Sequence, residues 1–242
     1  MTDKIPYLKR EVWDEDYAER EVETRRARAH WSQRKNRVVP ALLVLNLIVF
    51  LGWQFFTATP AGIGFFYNNF LISPLHLENG YYWTLLTSAF SHNQIIHLVF
   101  NMMVLVSFGN LLEKFYGPVG FLKLYIGAAL FSSLMHCATS AFLMDRMDAN
   151  ALGASGALTA VLMVFARMWP KHKILLFGII PVPAMIAVVG LVLLDIWGLI
   201  AQTRGGGFQI GHSAHLGGTI FGFVYFQTIL AKRIVRDVNE TH

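Results

Sequence analysis

From Val38 onward the chain is a succession of long apolar runs separated by short polar breaks. Six of these runs, near 38–57, 94–112, 119–143, 151–169, 182–202 and 211–231, approach the ~20 residues that a helix needs to cross a bilayer. The pattern predicts an all-α bundle of six spanning helices. Pro181 and Pro183 interrupt the apolar stretch that begins at Ile174. Proline is tolerated in the first turn of a helix but not in its interior, so the fifth helix is expected to start near Pro183. The stretch 58–93 reads as a long connection. Its aromatic side chains, among them Phe65, Tyr67, Tyr81 and Trp83, place it at the outer interface of the membrane.

Composition agrees with this reading. The chain has 242 residues, 55% hydrophobic and 14% charged, with a mean hydropathy of +0.46, too apolar for an ordinary soluble domain. Residues 1–37 alternate acid and base and lack the apolar core of a secretory signal, so they are expected to form a charged, helical cytoplasmic extension. Residues 232–242 are expected to form a short cytoplasmic tail. Arg34, Lys35 and Arg37, then Lys114 and Lys123, then Arg167, Lys171 and Lys173, then Lys232, Arg233 and Arg236 all fall on one side of such a bundle. Basic residues favour the inner side, which puts both termini inside. Arginines directly before an apolar run fix topology or touch anionic lipid, so the bilayer is the expected partner and nucleic acid is not. The short chain without a targeting peptide leads us to expect a bacterial inner membrane, with a mitochondrial one left open. Cys137 is the single cysteine, so no intramolecular disulfide can form.

In this topology the second, fourth and sixth runs all cross from outside to inside, and their first turns share the outer face. Those turns carry the polar residues that are hardest to place in lipid: His97 and Asn101 in "HLVFN", Ser155 in "GASG" and His215 in "GHSAHLGG". Polar groups inside a span are costly and face one another or a cavity. Ala214, Gly218 and Gly222 repeat every four residues, and Gly156 and Ala160 do the same. Small residues at that spacing let two helices approach closely, which would bring His215 to Ser155. A serine becomes a nucleophile when a neighbouring base takes its proton, and histidine suits that task near neutral pH. Gly153 and Gly156 would let backbone and substrate approach the serine, and His97 and Asn101, four residues apart on one face, could donate to an oxyanion. No carboxylate is plainly placed to orient His215. Asp195 is the only candidate within a span, and the arrangement reads as a dyad.

Together, "HLVFN", "GASG" and "AHLGG" in that order resemble the rhomboid family of intramembrane serine proteases, over roughly residues 38–231. The resemblance implies that Ser155 is the nucleophile and His215 its base, with His97, Asn101 and backbone N–H groups near Gly153 and Ser155 assisting the oxyanion. It implies structural roles for His92 and Glu113. It also implies single-span membrane proteins as substrates, cut near the outer face and entering past the fifth span and the turn at Arg204, Gly205, Gly206 and Gly207. No cofactor and no metal are expected: His212 and His215 are three residues apart, but HExxH is absent. Two positions depart from the family pattern. Thr84 follows Trp83 where an arginine is common, and Thr159 stands where an aromatic often packs on the base, so His215 must be oriented by other contacts. The competing readings are a rhomboid-like protein that binds membrane clients with little or no cleavage, and a transporter, which the polar residues gathered near one face argue against.

Overall fold

The computed structural model describes residues 34–176, 179–206 and 210–240. The charged extension up to residue 33 lies outside the described residues, as does Gly207. Helix α1 (Val38–Phe56) begins where Glu113 reaches across from a distant part of the chain. Glu113 is buried and accepts from the backbone N–H groups of Arg37 (2.5 Å), Val38 (2.8 Å) and Val39 (2.9 Å). The first N–H groups of any helix lack an internal partner, and a carboxylate there also complements the helix dipole. Glu113→Ala should therefore destabilise the protein by about 2–4 kcal/mol, since each orphaned buried donor costs about 1–3 kcal/mol. Thermal melting in detergent measures this, and an unchanged melting temperature would mean that Glu113 does not anchor α1. The other end of α1 is fixed where the Trp53 indole N–H donates to Ser91 Oγ (2.7 Å).

The stretch expected as a long connection is mostly folded: α2 (Pro60–Phe70), α3 (Pro74–Glu78), α4 (Thr84–Thr87) and a 3-10 turn at Ser88–Phe90. Thr59 Oγ1 caps Gly62 N–H (3.1 Å) and Ser73 Oγ caps His76 N–H (3.2 Å), each with proline at the first helical position. A hydroxyl cap followed by proline is a strong start signal. The departure at Thr84 is absorbed locally, its hydroxyl donating to the Tyr81 carbonyl (2.5 Å) while Trp83 Nε1 donates to Asn69 Oδ1 (3.0 Å).

Helix α5 (Ile95–Val104) passes through a π-helical turn at Leu105–Gly109 into α6 (Asn110–Phe142). At Gly117, φ is 76° and ψ is 166°. This left-handed conformation suits glycine, and Pro118 follows it, so the chain turns there instead of running on as one rod. Beyond α6 come α7 (Ser155–Met168), a hairpin of β1 (Lys173–Leu176) and β2 (Ile180–Pro183), α8 (Ala184–Thr203) and α9 (His212–Glu240). The fourth run was expected to be helical from 151. The helix begins instead at Ser155, because Ala151 is held in a bridge to Ile72. Helix α8 starts directly after Pro183, where the prolines put it, and an antiparallel hairpin precedes it (Lys173 opposite Pro183).

Among the described residues, three helical stretches are long and apolar enough to cross a membrane: Val38–Phe56, Ile95–Phe142 and Ala184–Thr203. With 14 residues, α7 is about 21 Å long, short of the ~30 Å hydrocarbon core. It lies in the middle of the molecule, and most of its residues from Gly156 to Ala166 are buried. A Cβ at Gly218 would fall 1.8 Å from the Gly156 carbonyl oxygen, and one at Gly222 2.6 Å from that of Ala160. The backbones of α7 and α9 are therefore in contact, and the repeat of small residues is what allows it.

Candidate active site

The contact between α7 and α9 decides where their first turns meet. Ser155 is the first residue of α7 and His215 lies in the first turn of α9. Ser155 Oγ stands 2.8 Å from His215 Nε2. Thr159, at the position where an aromatic often packs on the base, donates its hydroxyl to the carbonyls of Gly156 (2.8 Å) and His215 (2.9 Å). It ties the two helices together one turn below the pair through the His215 backbone.

The ring is held from the other side. His215 Nδ1 donates to Asp195 Oδ1 (3.1 Å), and His212 Nδ1 donates to the same oxygen (2.8 Å). Asp195 comes from α8 and is buried. With the proton on Nδ1, Nε2 presents its lone pair to the serine hydroxyl. Beside the two residues read from the sequence, a carboxylate that the sequence did not plainly place lies within hydrogen-bond reach of His215. What could have revealed it is the cost of an ionisable side chain in a span, which demands a polar partner. Spacing alone does not give the rotation of α8 that turns Asp195 toward α9.

The remaining residues singled out in the sequence gather on the opposite side of Ser155. A Cβ at Gly153 would lie 2.6 Å from His97 Cε1 and 3.7 Å from Asn101 Nδ2, so both side chains of α5 rest against the backbone just before the serine. Gly153 has φ of +120°, a conformation open to glycine. Its N–H donates to the Ser88 carbonyl (2.9 Å) and is not free for a ligand, so Gly153 contributes the shape of the turn. The N–H groups of Ser155 and Gly156 open α7 and have no carbonyl one turn back within the helix.

Asn101 Nδ2 donates to His92 Nε2 (2.7 Å), and the His92 and His97 rings meet edge to face at 4.9 Å. Burial, and secondarily the neighbouring His97, push the His92 pKa down to about 3, against a smaller upward pull from the Phe90 backbone. His92 is therefore neutral at physiological pH, and its Nε2 lone pair is available to fix the Asn101 amide.

Residues 79–232 match the family model described as the Rhomboid domain. The chain belongs to the rhomboid family. It is similar to the mitochondrial RHOMBOID-like protein 12 of Arabidopsis thaliana, 37% identical over 80% of this chain and 59% of that protein. It is also similar to the mitochondrial Rhomboid protein 1 of Saccharomyces cerevisiae, 33% identical over 81% of this chain and 54% of that one. A third relative is the mitochondrial presenilin-associated rhomboid-like protein A of Danio rerio, 31% identical over 78% of this chain and 47% of that one. This rhomboid thus spans about half the length of the curated relatives it matches. The mitochondrial relatives correct the expectation of a bacterial inner membrane with cytoplasmic termini and point to a mitochondrial membrane instead. The spans themselves could not have found this, because compartment is not encoded in them.

Proposed function

We propose that this rhomboid is an intramembrane serine endopeptidase that cuts the spanning segments of other membrane proteins. The family consists in general of intramembrane serine proteases. The observation that carries the reading for this chain is the relay from Asp195 Oδ1 through His215 to Ser155 Oγ, with contacts of 3.1 and 2.8 Å. Purified protein incubated with a single-span substrate tests it, with Ser155→Ala as the control.

In the proposed reaction the Ser155 oxygen attacks a substrate carbonyl while His215 Nε2 takes its proton, and Asp195 stabilises the imidazolium that forms. The oxyanion is met by the Ser155 and Gly156 N–H groups and by His97 and Asn101. The imidazolium then returns its proton to the leaving amine, and water hydrolyses the acyl-enzyme. No cofactor enters these steps.

The bundle crosses the membrane six times in this reading: the turn at Gly117 makes two crossings of the Ile95–Phe142 stretch, α9 supplies another, and α7, too short to cross alone, completes its crossing with the irregular chain before Ser155, which is covered by protein and not by lipid. The cut falls near the face where α7 and α9 begin, since Ser155 and His215 lie in their first turns. A spanning helix must unwind before its peptide bond is open to attack, since its carbonyls are already hydrogen-bonded. Substrates with helix-weakening residues and a small side chain at the cut fit this need. Asp195 ties the middle of α8 to α9 through two hydrogen bonds, so access past α8 involves its C-terminal end and the turn from Arg204, with the middle of the helix staying in place.

Asn101→Ala and His97→Ala should each lower turnover about 10²–10³-fold, as loss of one oxyanion donor does, because backbone N–H groups remain. Apparent substrate affinity should change little, since these contacts strengthen only in the transition state. A large fall in melting temperature with near-normal turnover would make Asn101 a packing residue.

A further inference from the structure

His212 takes no part in the steps above, yet its Nδ1 shares one carboxylate oxygen with the base. It is buried, and its Nε2 has no hydrogen-bond partner among the described residues. A Cβ at Gly198 would fall 2.2 Å from that nitrogen, so the ring is pressed against the backbone of α8 and cannot turn away. One donor atom from each of Asp195, His212 and His215 lies within 4.8 Å of the other two. The two Nδ1 atoms stand 2.8 and 3.1 Å from Asp195 Oδ1. In a tetrahedral zinc site, with ligands at ~2.0–2.2 Å, donor atoms are about 3.3 Å apart. The two hydrogen-bonded pairs open by a few tenths of an ångström and the remaining pair, which lies within 4.8 Å, closes by up to about 1.5 Å, as an ion takes the place of the two Nδ1 protons. Two imidazoles and one carboxylate, with a fourth position left to water, form a donor set suited to zinc, whereas magnesium and calcium prefer all-oxygen shells.

We propose that Asp195, His212 and His215 form an inhibitory binding site for a zinc-class divalent cation. The ion binds the Nδ1 lone pairs of both rings. In neutral His215 the displaced proton moves to Nε2, so the nitrogen that faces Ser155 becomes a donor and can no longer accept the hydroxyl proton. No proton is lost from the ring and no bond to Ser155 forms. Removing the ion restores the Nδ1–H form and the base. The inhibitory effect rests on the protease reading, whereas binding of the ion does not.

The test separates the two. Zinc binding to the full, tag-free chain in detergent is measured by competition with a chromogenic chelator in the Ser155→Ala background, where cleavage plays no part. One ion per chain is expected, with affinity at least tenfold weaker in Ser155→Ala/His212→Ala and in Ser155→Ala/Asp195→Asn. In wild type, cleavage should fall over the zinc range that fills the site and return with excess chelator. Inhibition of His212→Ala should need at least tenfold more zinc. Equal zinc affinity with and without His212, or equal inhibition of His212→Ala and wild type, overturns the proposal. Histidine-dependent binding to a wild-type chain that cleaves nothing sustains the site and sinks the protease reading. Should the His212 variant not fold, cobalt titration of the Ser155→Ala chain decides: visible ligand-field bands of a four-coordinate N/O site at one equivalent support the proposal, and their absence overturns it.

Discussion

Ser155→Ala and His215→Ala are each expected to abolish cleavage of a single-span substrate by the purified protein, with turnover falling by about 10⁶-fold, the scale on which nucleophile–base units fail. The double variant should be hardly worse than either single one, because the two groups act as a unit: once the base is gone the hydroxyl is inert, and once the hydroxyl is gone the base has nothing to deprotonate. Stability should change little. The Ser155 hydroxyl lies at the start of α7, where its contact is the His215 ring, and the packing of α7 on α9 depends on Gly218, Gly222, Gly156 and Ala160, which both variants leave intact. Cleavage rate and melting temperature are measured on the same preparations. Substantial cleavage by a verified Ser155→Ala protein would end the serine-protease reading, and a wild-type chain that binds single-span clients without cutting them would favour the client-binding alternative.

Parts of this site were legible in the sequence because their signals are local and periodic. The four-residue repeats around Gly218 and Gly156 foretell a close helix pair, and the glycines of "GASG" foretell a tight turn beside a serine. The start of α8 after Pro183 follows from what proline does to a backbone. The helices between Pro60 and Thr87 were equally marked by Thr59–Pro60 and Ser73–Pro74. There the aromatic composition, which speaks only of the interface, masked the capping signals. Asp195 was a different case. Its partners lie 17 and 20 residues away on the next helix, and only the rotation of α8 about its axis decides whether it faces them. The strands at Lys173–Leu176 and Ile180–Pro183 escaped for a similar reason, since a short apolar run reads alike as strand or buried helix.

Asp195→Asn provides the sharpest measure of what that carboxylate does. Asparagine has nearly the same shape, so it can stay between α8 and α9, but it removes the charge that stabilises the imidazolium. It also supplies an N–H₂ group that can donate to His215 Nδ1. A ring that accepts at Nδ1 carries its proton on Nε2, facing Ser155 with a donor where a lone pair is needed. In the serine–histidine–aspartate template the same exchange preserves geometry and costs about 10⁴-fold in turnover. Here His212 competes for the same oxygen and the His215 ring is partly exposed, which dilutes the charge effect, so a fall of about 10²–10⁴-fold is expected. Apparent substrate affinity should be near that of wild type, because the carboxylate touches the base and not the substrate. The competing role is mechanical, with Asp195 serving only to hold α8 against α9. Under that role Asp195→Asn, which keeps an acceptor oxygen, should cleave almost normally, and Asp195→Ala should lose melting temperature and activity together. Turnover, affinity and melting temperature for both variants separate the two roles. Near-normal turnover in Asp195→Asn would return the site to Ser155 and His215 alone and leave Asp195 a structural clamp.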